Sequence, residues 1–89
     1  MRKLIIIPTY NERENIEAMV AKVLSLPGDY SILVVDDASP DGTADIVRRL
    51  MAIHPERLYL LEREGKLGLG TAYIAGFRWA LERDRKSVV

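Results

Sequence analysis

The sequence predicts an α/β domain with a parallel sheet, its elements following one another as β-α-β-α-β-α. Two observations predict it. Short runs rich in Ile, Val and Leu alternate with longer segments whose apolar residues recur at helical spacing. Each run also ends in a cluster of turn-forming and polar residues, as strands do where they leave a sheet. Strands joined through helices lie parallel, and right-handed crossovers place the helices over the sheet.

The elements can be taken in order. "KLIII" at residues 3–7 reads as a buried strand that ends at Pro8, since proline has no N–H for a ladder. Ile16, Met19, Val20, Val23 and Leu24 make one face of an amphipathic helix. Asn11 and Glu14 have the spacing of a capping box before it, and Pro27-Gly28 closes it. "SILVV" at 31–35 is the second strand. Ile46, Val47, Leu50 and Met51 line the second helix, which has to end before Pro55. "LYLL" at 58–61 is the third strand, and Tyr73, Ile74, Phe77, Ala80 and Leu81 return to helical spacing.

Composition narrows the function classes. Thirteen Lys plus Arg balance thirteen Asp plus Glu, so no bulk charge points to nucleic acid, and an anionic ligand has to be held locally. With no cysteine and one histidine, His54, neither a disulfide framework nor a Cys/His metal site is available. The apolar run at 4–7 is too short for a signal peptide, and no stretch approaches the roughly 20 apolar residues that span a bilayer. At 89 residues the chain is short for an α/β domain, which typically needs about 100 to 150, so an incomplete domain is expected.

Ligands of open parallel sheets bind outside the carboxyl ends of the strands. Three loops leave those ends: "PTYNERE", "DDASPDGT" and "EREGKLGLGT". The second opens on Asp36 and Asp37, with Ser39, Pro40, Asp41 and Gly42 turning into the second helix. Ionised carboxylates only accept hydrogen bonds, so a guanine or uracil edge or a ribose diol suits them. Neighbouring strand residues face opposite ways, so one carboxylate can meet a ligand while the other bonds the loop. Capping of the strand end would account for a single Asp; two in succession favour divided tasks. Tyr10 could cover a base and Glu12 could accept from ribose, or the two could serve the first helix as a staple and a dipole partner.

The third loop is glycine-rich without being a known phosphate motif. Gly68 and Gly70 are followed by Tyr73 where G-x-G-x-x-G needs its third glycine. Gly65-Lys66 is followed by Leu67, not Ser or Thr, and Leu60 stands where a P-loop needs its first glycine. These glycines either let backbone pass close over a bound group or simply form a turn. Arg63 and Lys66 either touch phosphate or lie on a solvated face.

Together, "IPTYNERENI", "VVDDASPDGT" and "KLGLGTAYIAG" resemble the opening half of the polyprenol-phosphate (dolichol-phosphate) mannosyltransferases of glycosyltransferase family 2. The resemblance covers residues 4–82. Strand plus Asp-Asp marks the wider family; the Thr-Tyr-Asn-Glu loop and the Lys-Leu-Gly-Leu-Gly-Thr-Ala-Tyr segment are much more specific. It implies a GT-A, Rossmann-like nucleotide-binding fold and inverting transfer of mannose from GDP-mannose to a polyprenyl or dolichyl phosphate. It also implies a divalent metal, Mg2+ or Mn2+, and a cytoplasmic protein peripheral to the membrane through its lipid acceptor. Pro8, Tyr10, Glu12, Val35 and Asp37 match nucleotide-sugar-binding positions, and Lys66, Gly68 and Gly70 form a candidate phosphate or acceptor loop. An acceptor phosphate with a second pKa near about 6 is largely ionised at neutral pH, so no strong base is required.

One departure from the family stands out. Its metal-binding Asp-x-Asp, expected on the strand after the third helix, is absent because the chain reads "LERDRKSVV" there. Residues 1–83 are therefore read as the N-terminal nucleotide-sugar-binding half, and 84–89 as a tail, non-native or cut from a longer chain, with Val88 and Val89 able to open the missing strand. No metal ligand is assigned in this chain. Alternatives are a family 2 transferase for a different nucleotide sugar, a non-catalytic nucleotide-binding module, and a phosphorelay receiver. The receiver would need a phosphoacceptor Asp after a later strand, where Leu61, Glu62 and Arg63 stand. The missing fourth strand would pair with strand one in the usual doubly wound order, leaving that edge open in these 89 residues. The purified 89-residue chain is accordingly expected to show no mannosyl transfer; turnover of GDP-mannose in the presence of a polyprenyl phosphate would overturn that expectation.

Overall fold

Lys3–Thr9 (β1), Tyr30–Asp36 (β2) and Leu58–Glu62 (β3) pair in parallel in the order β1-β2-β3. The computed structural model describes residues 3–64 and 69–83. Among these, Ile16–Leu24 (α1) and Thr43–Ile53 (α2) cover one face of the sheet and Leu69–Glu82 (α3) covers the other. The β-α-β-α-β-α order is as the sequence predicts.

β2 is the central strand, and Ile32, Leu33, Val34 and Val35 are all wholly buried. A continuous apolar run is what a strand needs when helices cover both its faces. Ile32 and Val34 pack with Ile16, Val20, Val47 and Leu50. Leu33 and Val35 pack with Leu4, Ile6, Ala72, Trp79 and Ala80. The same alternation, continued, sends Asp36 toward the α1/α2 side and Asp37 toward the α3 side.

The register makes the strand ends flush. Thr9 lies opposite Asp36, and Asp36 opposite Glu62. β1 runs through Pro8 to Thr9, two residues beyond the expected stop. Lys3 N–H donates to the Asp29 carbonyl and the Thr9 carbonyl accepts from Asp37 N–H. Odd-numbered residues of β1 thus turn their backbone groups toward β2, and Pro8 turns its N–H-less nitrogen to the edge, where it breaks no ladder bond.

Two further details differ from the sequence reading. α1 begins at Ile16 after Asn15, without a side-chain cap. Asn11 adopts a left-handed backbone, φ 55°, and its N–H bonds the Ser39 hydroxyl. The expected capping box therefore does not form, because this loop bonds its neighbour across the rim instead. In α3 the inward face is Ala72, Gly76, Trp79 and Ala80, while Tyr73, Ile74, Phe77 and Leu81 are exposed. The helix lies too close to β1 for large side chains: a Cβ on Gly76 would come within 2.7 Å of Ile6 Cδ1 and 2.9 Å of its Cγ2. Trp79 fits at the far end, with its ring 5.0 Å from that of Tyr59 and the Arg83 guanidinium 4.2 Å from its centre.

This close approach yields a paired test. Gly76→Val is expected to destabilise the fold by about 1–3 kcal/mol through overpacking against Ile6. Gly70→Ala, at an exposed position where an added Cβ meets nothing within 4 Å, is expected to be neutral or to stabilise by up to about 1 kcal/mol. Chemical denaturation of both variants beside the parent measures the contrast, and equal stabilities would refute it.

Candidate functional site

The rim at the carboxyl ends of the strands is held together by its own side chains. Asp36, wholly buried, accepts from Thr9 Oγ1 at 2.7 Å, from Ser39 N–H at 3.0 Å and from Ser39 Oγ at 2.6 Å. It joins the end of β1 to the turn after β2. Three successive backbone N–H groups of the first loop bond side chains of the second: Asn11 to Ser39 Oγ, Glu12 to Thr43 Oγ1 and Arg13 to Asp41 Oδ2, at 2.9, 3.0 and 3.1 Å. Asp41 also accepts from the Thr43 N–H and hydroxyl, and Arg13 donates to its carbonyl. The Thr43 hydroxyl above all, aided by the Arg13 and Thr43 N–H groups and opposed by desolvation, holds the Asp41 carboxyl below its usual range.

Asp37 has a different environment. Arg63, the first residue after β3, grips it with both arms of its guanidinium, Nε to Oδ1 at 2.7 Å and Nη2 to Oδ2 at 2.8 Å. Both side chains are about nine-tenths buried, at 11% and 9% exposure. Arg63 Nη1 donates to Thr71 Oγ1 at 3.1 Å, in the first turn of α3. A fork of this kind fixes the plane as well as the position of the carboxylate. Removing one partner of a buried pair typically costs about 3–5 kcal/mol, because the other charge is left unpaired.

The residues singled out in the sequence distribute as follows. Pro8 and Val35 lie side by side in the ladder just below the rim. The Val35 side chain is in the core, so it supports the rim without lining it. Tyr10 is exposed one step past Thr9. Glu12 is tied by its N–H to Thr43 and by its carboxylate to the Asn15 amide at 3.3 Å. Gly70 is the second residue of α3, where an added Cβ would meet nothing within 4 Å. Lys66 and Gly68, and the tail 84–89, lie outside the described residues. The cross-loop bonding roles of Thr9, Ser39, Asp41 and Thr43 emerge only from the contacts, as does that of Arg63 on Asp37. Their signal in sequence is faint, because hydroxyl and carboxylate residues after a strand are ordinary turn formers. Glu62, at the end of β3, is paired with Arg48 of α2.

Among the described residues no three His, Asp or Glu side chains converge to hold a metal ion. No described helix is long and apolar enough to cross a membrane.

Comparison with known proteins agrees with this architecture. The family model "Glycosyl transferase family 2" matches residues 4–83. The chain is 50% identical over 88 residues to a polyprenol monophosphomannose synthase of Mycolicibacterium smegmatis, covering 99% of this chain and 33% of the relative. It is 51% identical over 83 residues to an undecaprenyl-phosphate mannosyltransferase of Micrococcus luteus, covering 93% and 34%. The chain thus spans about a third of the length of these curated relatives. A mannosyltransferase from Pyrobaculum calidifontis, solved in complex with GDP-Man and Mn2+, superposes with a TM-score of 0.82 at 35% identity, over 89% of this chain and 24% of that one. The α/β fold is accordingly of the GT-A type, and the chain belongs to glycosyl transferase family 2.

Proposed function

We propose that this chain is the nucleotide-sugar-binding part of an enzyme that transfers mannose from GDP-mannose to a polyprenyl phosphate with inversion. The observation that carries the reading is the divided carboxylate pair at the end of β2: Asp36 is consumed by the loops, whereas Asp37 is oriented by Arg63 on the other face. A carboxylate whose plane is fixed at a strand terminus suits an N–H-bearing base edge, and guanine offers such groups. The named relatives act on polyprenol-type phosphates, and the solved relative was captured with GDP-Man, which supports mannose and guanine over another nucleotide sugar.

In this reading Asp37 accepts from guanine, Tyr10 covers the base, Glu12 faces the ribose, and Pro8 and Val35 shape the floor beneath. Gly70, which no packing contact requires to be glycine, lets the start of α3 approach phosphate, and Lys66 and Gly68 precede it closely in the sequence. The divalent metal of the solved relative, Mn2+, would neutralise charge on the departing diphosphate. Among the described residues no three His, Asp or Glu side chains converge to hold such an ion, and the contribution assigned to this chain is to bind and orient the nucleotide. The lipid acceptor would bring the whole enzyme to a membrane surface on the cytoplasmic side.

The test separates the two carboxylates. Asp37→Asn replaces an acceptor by a donor facing guanine and removes a charge-assisted bond of about 1.5–3 kcal/mol, so GDP affinity is expected to fall roughly tenfold or more. Asp36→Asn turns one amide N–H toward the Ser39 N–H or toward two hydroxyls, so about 1–3 kcal/mol of stability is expected to go while GDP affinity changes less. Calorimetric titration of GDP and thermal unfolding of both variants measure the split. Unchanged GDP affinity in the Asp37 variant would remove the assignment.

A further inference from the structure

Arg63 holds more of the rim than its place in the sequence suggests. Its backbone N–H donates to the Asp36 carbonyl at 2.8 Å, which anchors it in the ladder beside the end of β2. Its guanidinium takes both Asp37 oxygens and reaches Thr71 with the remaining nitrogen. Residues 63 and 71 bracket the glycine-rich segment, so a single side chain connects the carboxylate after β2 to the helix that follows that segment. The guanidinium is planar and rigid, and a lysine could supply its charge but not its fork.

We propose that Arg63 is a positioning residue: it sets the Asp37 carboxylate in the plane that reads the nucleotide base and couples occupancy there to the first turn of α3. The inference rests on the nucleotide reading of Asp37. An ionised carboxylate only accepts hydrogen bonds and has about four acceptor sites, so a fork from Arg63 does not by itself bar acceptance from a base. Breaking the grip would leave two opposite charges unpaired in a largely buried place, so the pair stays closed when the ligand arrives and the ligand meets it as one preorganised unit. The ligand does not displace Arg63; it relies on it. Thr71 then carries the effect onward, because a carboxylate held more firmly by its ligand holds the guanidinium, and the guanidinium holds the helix start.

The experiment uses the full 89-residue chain and GDP as the probe, with three proteins: the parent, Arg63→Lys and Thr71→Val. Calorimetry gives the GDP affinity, and amide hydrogen exchange over residues 70–73 gives the protection that GDP confers on the first turn of α3. Arg63→Lys is expected to weaken GDP tenfold or more when measured below its own melting temperature, although its charge is kept. Thr71→Val, a milder change at an exposed position, is expected to alter affinity less than fivefold but to abolish the GDP-dependent protection seen in the parent. A purely structural Arg63 would lower the melting temperature and leave the affinity of the folded protein and the protection in Thr71→Val unchanged, and that result overturns the inference. If Arg63→Lys does not fold, the protection measured in Thr71→Val decides by itself. Absence of GDP binding by the parent removes the nucleotide reading and this inference together, whereas parent binding with an unaffected Arg63→Lys removes the inference alone.

Discussion

The pleat of β2 is the constraint on which the rest of the molecule depends. Because consecutive residues of a strand face opposite ways, Ile32 and Val34 must go to α1 and α2, and Leu33 and Val35 to α3. That requirement fixes the register, since a slip of one residue would exchange the two sets. Continued one step beyond the core, the same pleat separates two chemically identical side chains. Asp36 falls over the loops of the α1/α2 face and becomes a structural hub; Asp37 falls on the α3 face beside Arg63. The division of labour at the rim is the core pattern extended into the loops.

The two loops over the α1/α2 face are tied to each other for a reason that also bears on binding. Loop N–H groups left without partners would cost stability, and Asn11, Glu12 and Arg13 satisfy theirs on Ser39, Thr43 and Asp41. The left-handed backbone of Asn11 is the local cost of aiming the first of these donors. A rim built this way presents Tyr10 and Asp37 from fixed backbone, so little ordering entropy remains to be lost when a ligand arrives.

α3 shows how packing distance selects among apolar residues. Both sets on this helix, the small residues at 72, 76 and 80 and the large ones at 73, 77 and 81, recur with a period of four. Only the small set can approach β1, because Ile6 already fills the space over Gly76. The large set is left on the outer face.

The sequence by itself determined the α/β class, the order of the elements, the strands to within one or two residues, and the rim as the place to look. These follow from local periodicity and from the rule that ligands gather at the carboxyl ends of parallel strands. It also carried the family, since the three loop motifs are contiguous and specific. Tertiary structure decided what depends on register between segments distant in the chain. Asp37 is paired with Arg63, 26 residues away, and Asp36 accepts from Thr9, 27 residues away, besides its local bonds from Ser39. Neither distance leaves a periodic trace. Likewise Pro8 could stay in β1 only because its nitrogen faces the edge, and the inner face of α3 was set by its separation from β1, a length that no spacing along the helix encodes.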